Sequence, residues 1–269
     1  MASGLVLPLI VCGFPRSGTL TCAQALSLSP VVELQGEMAL PDQTLDYLAA
    51  LKAWHDGQGA RSALWRDRSY EVMFDAFAGA APGRRIVRPG ATYRGHKTPR
   101  HERYFDRYEA LFDKAEAPAR YVYCLRNPWA VWRSLKIMPW NSFRTVGAFV
   151  EAWGRSVETF ERMQETAPGR VLLFDLDAFV AAPDAETFLD EALFRPLGLD
   201  PASFLKPVSS LANNNAATVK AGRAPPPLFR DEIDRIGSDA KSRRWVEAYF
   251  ADVVPAEGPT RGWLERVRG

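Results

Sequence analysis

The sequence predicts an α/β protein: a P-loop-like three-layer α/β/α domain with a mostly parallel central sheet. Three observations carry that expectation. An apolar run from Leu5 to Cys12 leads through a glycine turn into a helical pattern from Gly18 to Leu28. A second run, Tyr121 to Leu125, is apolar and β-prone throughout and is followed by Asn127-Pro128, a helix N-cap with proline at the first helical position. A third short run, Arg170 to Phe174, comes after a long amphipathic pattern that Pro168-Gly169 closes. Strands alternating with helical patterns build a parallel sheet, and strands apolar on both sides are strands covered on both faces.

With 269 residues and 47% hydrophobic content the chain can bury a sizeable core, so a single domain over 1–269 is expected. Net charge is +2, and no run of like charges suggests a nucleic-acid-binding or membrane-surface tail. The basic cluster at Lys241, Arg243 and Arg244 reads as a solvated helix face. Three cysteines, Cys12, Cys22 and Cys124, sit in apolar or helical settings and are expected to be reduced and buried, and their spacing does not suit zinc. The N-terminal apolar run is too short for a membrane span, and cleaving it as a signal would destroy the loop that follows. A cytoplasmic protein without a lipid anchor is therefore expected.

Each element has its own reason. Gly13-Phe14-Pro15-Arg16-Ser17-Gly18-Thr19 is a strand–loop–helix junction of the kind that cradles phosphate. Glycines let the backbone approach, and the first helical turn offers unpaired N–H donors at the positive end of a dipole. The Gly-x4-Gly spacing is that of a Walker A loop, but Thr19 stands where the lysine would be, and the positive charge lies inside the loop at Arg16. Val31 to Leu34 reads as a second strand, with Glu33 and, after Gly36, Glu37 near its end. Pro41 to Trp54 reads as an amphipathic helix through Leu45, Leu48, Ala49, Leu51 and Trp54, and Ser69 to Ala80 as another. Thr92 to Lys97 is a short strand stopped by Pro99, with a helix from about His101. Phe143 to Thr166 is a long helix with Phe149, Trp153, Val157 and Phe160 inward. Residues 206–227 read as a loop, and a last helix, Asp239 to Phe250, is expected on the sheet edge.

The loop residues Phe14 to Thr19 resemble the sulfotransferases that use 3′-phosphoadenosine 5′-phosphosulfate (PAPS), in particular bacterial members similar to the Golgi and tyrosylprotein types. Two more blocks carry the resemblance, in order: Lys97-Thr98-Pro99, and Arg126-Asn127-Pro128 with Ser134 eight residues after the arginine. The resemblance implies that Pro15, Arg16, Ser17, Gly18, Thr19 and Leu20 grip the 5′-phosphosulfate. Leu20 departs from the family's Thr or Ser. It further implies that Arg126 and Ser134 hold the 3′-phosphate and that Lys97 reaches the transferring sulfuryl group. Glu37 is carried over as general base, with Glu33 and His96 as other choices. The plain alternative for Glu37 is a surface carboxylate capping the next helix. Residues 41–90 fall where the family shapes its acceptor pocket. Lys220, Arg223 or both would close over the nucleotide from the C-terminal segment 206–250. The family's Arg-Tyr-Glu-Asp-Leu becomes Asp175-Leu176-Asp177-Ala178-Phe179 here, so the tyrosine is missing, and Asp177 is expected to be structural.

The expected reaction is transfer of the sulfuryl group from PAPS to a hydroxyl acceptor, with an amine as second choice, leaving adenosine 3′,5′-bisphosphate (PAP). No metal is required, because fixed cations supply the positive charge that Mg²⁺ supplies to kinases. A P-loop kinase using ATP and Mg²⁺ and a non-catalytic PAPS-binding protein are the competing readings. Acceptor and oligomeric state are not written in the motifs. The Ala- and Arg-rich composition is that expected of a GC-rich bacterial genome.

Overall fold

The computed structural model describes residues 6–38, 40–58, 90–112, 118–211, 226–240 and 242–253. Five strands form one sheet in the order β2-β3-β1-β4-β5, every neighbouring pair parallel: β1 (Leu7–Gly13), β2 (Val32–Gln35), β3 (Tyr93–Lys97), β4 (Arg120–Leu125) and β5 (Val171–Asp175). β1 sits in the middle because it is the most uniformly apolar strand and is buried from Pro8 onward. The chain builds β2 and β3 on one side of it, then crosses to build β4 and β5 on the other. That reversal leaves a crevice at the carboxyl ends of β3, β1 and β4.

The pleat divides the core in two. Ile10 and Cys12 of β1, with Tyr121, Tyr123 and Leu125 of β4, face a layer made by α2 (Pro41–Asp56), α3 (Phe105–Leu111), α4 (Pro128–Leu135) and α5 (Val146–Thr166). Leu9, Val11, Val122 and Cys124 face the other layer, which contains α1 (Thr19–Leu26) and the segment from α7 (Ala185–Leu189) through a π-helical turn to Phe194. In α5 the inward stripe holds as expected: Phe149, Trp153, Val157 and Phe160 are fully buried. Each such side chain contributes about 1.5–3 kcal/mol by leaving water. Asn127 caps α4 by accepting the Ala130 N–H at 2.8 Å.

Three expectations change. Trp54 is exposed, while Leu45 and Leu48 are fully buried. Trp54 follows Leu45 by nine residues, about two and a half helical turns, which puts it on the opposite side of α2. An extra helix, α8 (Arg230–Ser238), precedes α9 (Arg243–Phe250). It is strongly polar, and Glu232 anchors it by accepting from its own Phe229 N–H, from Trp132 Nε1 and from Lys136 Nζ. α9 packs on α5 rather than on a sheet edge: Trp245 lies 2.9 Å from where a Cβ on Gly154 would be, and Phe250 meets Trp153. The expected helix Ser69 to Ala80 lies outside the described residues. Cys12, Cys22 and Cys124 are free and buried. Arg243 and Arg244 are exposed, each paired with a glutamate.

Beside the sheet lies a buried polar chain. Thr98 Oγ1 accepts the Met38 N–H at 3.0 Å and meets His96 Nδ1 at 2.7 Å. His96 Nε2 meets the Tyr108 hydroxyl at 3.1 Å, and that hydroxyl meets His101 Nδ1 at 2.7 Å. Burial, then the neighbouring His101 and Lys97, hold His96 well below the ordinary imidazole range. Burial, then Arg103, pushes His101 down to about 3. Both rings are neutral in the fold and titrate near 6.5 when unfolded. Below about pH 6.5 the unfolded chain therefore binds up to two more protons than the native one, so stability is lost as pH falls toward the depressed native values. Burial raises the Glu102 carboxyl and so opposes this by at most one proton. Burial raises Asp175 as well and opposes in the same sense. The expected outcome is a melting temperature that drops between about pH 7 and 5, each proton of net difference being worth about 1.4 kcal/mol per pH unit. A flat profile in calorimetric scans over that range would contradict the neutral burial of the pair.

Candidate active site

The loop between β1 and α1 leaves the strand at Gly13 (φ 127°) and enters the helix at Gly18 (φ 91°), two left-handed positions where a glycine is at ease. Arg16 between them is also left-handed (φ 73°), a conformation that costs a residue bearing a Cβ. Among the described residues no side chain caps the first turn of α1 and no acidic residue lies in it, so its N–H groups remain available to a ligand. The Ser17 hydroxyl is buried with no hydrogen-bond partner among the described residues. Buried polar atoms are normally satisfied, so this one leaves a donor open to an acceptor atom. Leu176, at the start of α6 (Leu176–Ala181), packs against Gly18 from behind.

The two distant arginine motifs meet at this loop. Arg16 Nε donates to Ser134 Oγ at 2.9 Å, and Arg126 donates to the Arg16 carbonyl at 3.3 Å. Burial, then the nearby Arg126 guanidinium, lowers the Arg16 pKa. Burial also lowers Arg126, against the opposing pull of Asp177. Asp177 braces the start of α4: its Oδ1 lies 3.7 Å from Arg126 Nε, and its Oδ2 accepts the Asn127 N–H at 2.6 Å. Two half-buried cations and a serine hydroxyl in one cluster form a setting that favours anionic oxygens.

A cavity of about 330 Å³ opens beside the cluster. Pro15, Arg16, Gly18, Thr19 and Leu20 line it from the loop, and Glu37 and Lys97 line it from the ends of β2 and β3. Lys97 Nζ and Glu37 Oε1 are 2.6 Å apart, with the lysine largely buried and the glutamate side chain 61% exposed. Arg126 and Ser134 do not line this cavity; they connect to it through Arg16. The other two base candidates are spent elsewhere. Glu33 is buried against Arg94, its register partner on β3, with Nε 3.0 Å from Oε2, and Gln35 donates to its other oxygen. His96 is fully buried in the chain that joins Thr98 to Tyr108. Lys220 and Arg223 lie outside the described residues.

Two lining residues were not anticipated: Pro99, and Trp140 in the turn after α4, a residue 55% exposed. Nothing in the local pattern around Trp140 separates a cavity residue from a surface one. Among the described residues no cluster of His, Cys, Asp or Glu is placed to hold a metal ion. No helix among them is long and apolar enough to cross a membrane.

Comparison with known proteins agrees with the fold. The sulfotransferase domain of the Synechococcus PCC 7002 olefin synthase shares the fold: TM-score 0.53, 17% identity, covering 95% of this chain and 98% of that one. Weaker likenesses are to mouse sulfotransferase SULT7A1 complexed with PAP (TM-score 0.44, 12% identity, 94% and 90% covered) and to sulfotransferase STF1 from Mycobacterium tuberculosis H37Rv (0.42, 17%, 80% and 77%). No curated protein matches the sequence. Residues 8–200, more than half of the chain, match the sulfotransferase family. By that match and its parallel-sheet fold, this chain belongs to the sulfotransferase family.

Proposed function

We propose that the protein transfers a sulfuryl group from PAPS to a hydroxyl acceptor, with the whole chain acting as one sulfotransferase domain. The observation that supports this best is the cluster of Arg16, Arg126 and Ser134 behind a loop whose Ser17 hydroxyl has no partner among the described residues. It gathers donors for two separate anionic groups, one at the loop and one at the β4 end, which suits a nucleotide phosphorylated at both 5′ and 3′ positions. A kinase would want a lysine after Gly18, where this chain has Thr19.

Each residue then has a task. Arg16, the N–H groups of Gly18 and Thr19 and the Ser17 and Thr19 hydroxyls hold the 5′-phosphosulfate, with Pro15, Gly18 and Leu20 shaping the loop. Arg126 and Ser134 hold the 3′-phosphate, and Asp177 keeps Arg126 pointed at it. Lys97, a compact cation, stabilises negative charge growing on the bridging oxygen as the S–O bond breaks. Glu37 accepts the acceptor's proton as its oxygen bonds to sulfur. Lys220 and Arg223 are proposed to close over the nucleotide.

Calorimetric titration tests the binding half. The wild type should bind PAP in preference to AMP and ATP·Mg²⁺, and Arg126→Ala should weaken PAP by on the order of tenfold or more. Better binding of ATP·Mg²⁺ would sink the reading. A screen with labelled PAPS over hydroxyl-bearing compounds then supplies an acceptor for the catalytic half. With it, Glu37→Gln should lower kcat by about 10²–10⁴-fold while PAP affinity stays within about threefold. The Glu37–Lys97 pair is exposed on the glutamate side, so its loss costs little stability and the activity loss is not unfolding. Retained turnover in Glu37→Gln would remove Glu37 as base.

A further inference from the structure

Glu102 lies in the 3₁₀ turn His101–Tyr104 just after β3, and it is buried. Both of its carboxylate oxygens are used. Oε2 accepts the Gly13 N–H at 3.1 Å, and Oε1 accepts the Ser156 hydroxyl of α5 at 2.5 Å. Ser156 Oγ in turn meets the Tyr123 hydroxyl of β4 at 2.9 Å. Burial raises the Glu102 pKa against these hydrogen bonds and against the pull of Arg100. A buried acid is a costly way to fill a core position, so the reason for it lies in what it holds.

What it holds is the last residue of β1. Gly13 has no side chain, and a Cβ there would stand 2.3 Å from the Cys124 carbonyl oxygen. Its position can therefore be set only through its backbone. The Gly13 carbonyl accepts the Arg100 N–H at 2.8 Å, and the Val11 carbonyl accepts the Thr98 N–H at 3.0 Å. Pro99, between them, has no N–H to give. The segment that follows Lys97 thus binds the end of β1 with two main-chain bonds and one carboxylate. Arg16 lies three residues beyond this clamp on one side, and Lys97 immediately precedes it on the other.

We propose that Glu102 is a positioning residue of the anion site, its carboxylate holding the start of the phosphate loop in register with the strand end that presents Lys97. The inference rests on the proposed binding of a phosphorylated nucleotide at this loop. Small misplacements of groups that contact a reacting centre have large effects, which is why such a clamp matters beyond stability.

The test is calorimetric titration with PAP, and with ATP as comparison, on the wild type, Glu102→Ala, Glu102→Gln and Ser156→Ala, with melting temperatures alongside. Glu102→Ala should weaken PAP roughly tenfold. Glu102→Gln should stay within about threefold, because its amide oxygen still accepts the Gly13 N–H. Ser156→Ala breaks the other arm of the network; it should lower the melting temperature yet leave PAP affinity within about threefold. If Glu102→Ala does not fold, Glu102→Asp takes its place, a carboxylate one methylene too short to span both partners. Unchanged PAP affinity in the Ala or Asp variant, or an equal loss in Ser156→Ala, overturns the positioning role while the wild-type binding stands. A wild type that binds neither PAP nor ATP overturns this inference and the proposed function together.

Discussion

The parallel pairing of β1 with β3 on one side and β4 on the other is the constraint on which the rest depends. It brings three strand ends to one edge: Gly13, three residues before Arg16, then Lys97 itself, and Leu125, just before Arg126. Residues Arg16, Lys97 and Arg126 are far apart in the chain and share a site only because their strands are neighbours. The pairing is held by burial on both faces, with Leu9 and Val11 on one side and Ile10 and Cys12 on the other. A single-residue slip would exchange these faces and move each cation away from the crevice.

Electrostatics at this edge is divided into two zones. Arg16 and Arg126 form a half-buried cationic zone tied to Ser134, with Asp177 partly offsetting Arg126. Lys97 and Glu37 form a second zone, an ion pair of opposite charges bordering the cavity. The first zone favours binding of anions. The second holds both charges within 2.6 Å of each other at the cavity edge. Thr98 links the second zone to the core: it hooks the Met38 N–H beside Glu37 and is itself backed by His96.

Behind the site the interior is polar for a sheet flank. Two neutral histidines, Tyr108, Thr98, Glu102, Ser156 and Tyr123 are all buried and hydrogen-bonded. In a low-dielectric interior such networks define one geometry sharply, since any displacement leaves a donor or acceptor unpaired. They lie under the ends of β1 and β3, where small errors in strand position would be passed on to the cations.

Local residue pattern is enough to dictate the order of the strands and the turn from β1 into α1. Apolar runs without alternation require a sheet covered on both sides, and Gly13 to Thr19 can do little else than turn a strand into a helix. Asn127-Pro128 starts α4 on local grounds alone, and the inward stripe of α5 follows from its period. Local pattern could not place α9 on α5, because that depends on Gly154 leaving room for Trp245. Nor could it tell apart the surroundings of Glu37, Glu33 and His96, which look alike as titratable residues near strand ends. Tertiary structure separates them: Glu33 is spent on Arg94, His96 is sealed in the core, and Glu37 borders the cavity beside Lys97. The same holds for Glu102 and Trp140. A carboxylate bound to the N–H of a glycine on a neighbouring segment, and an indole at a cavity, are products of chain crossing. Periodicity and capping act within a few residues, whereas these contacts join segments that only the packed sheet brings together.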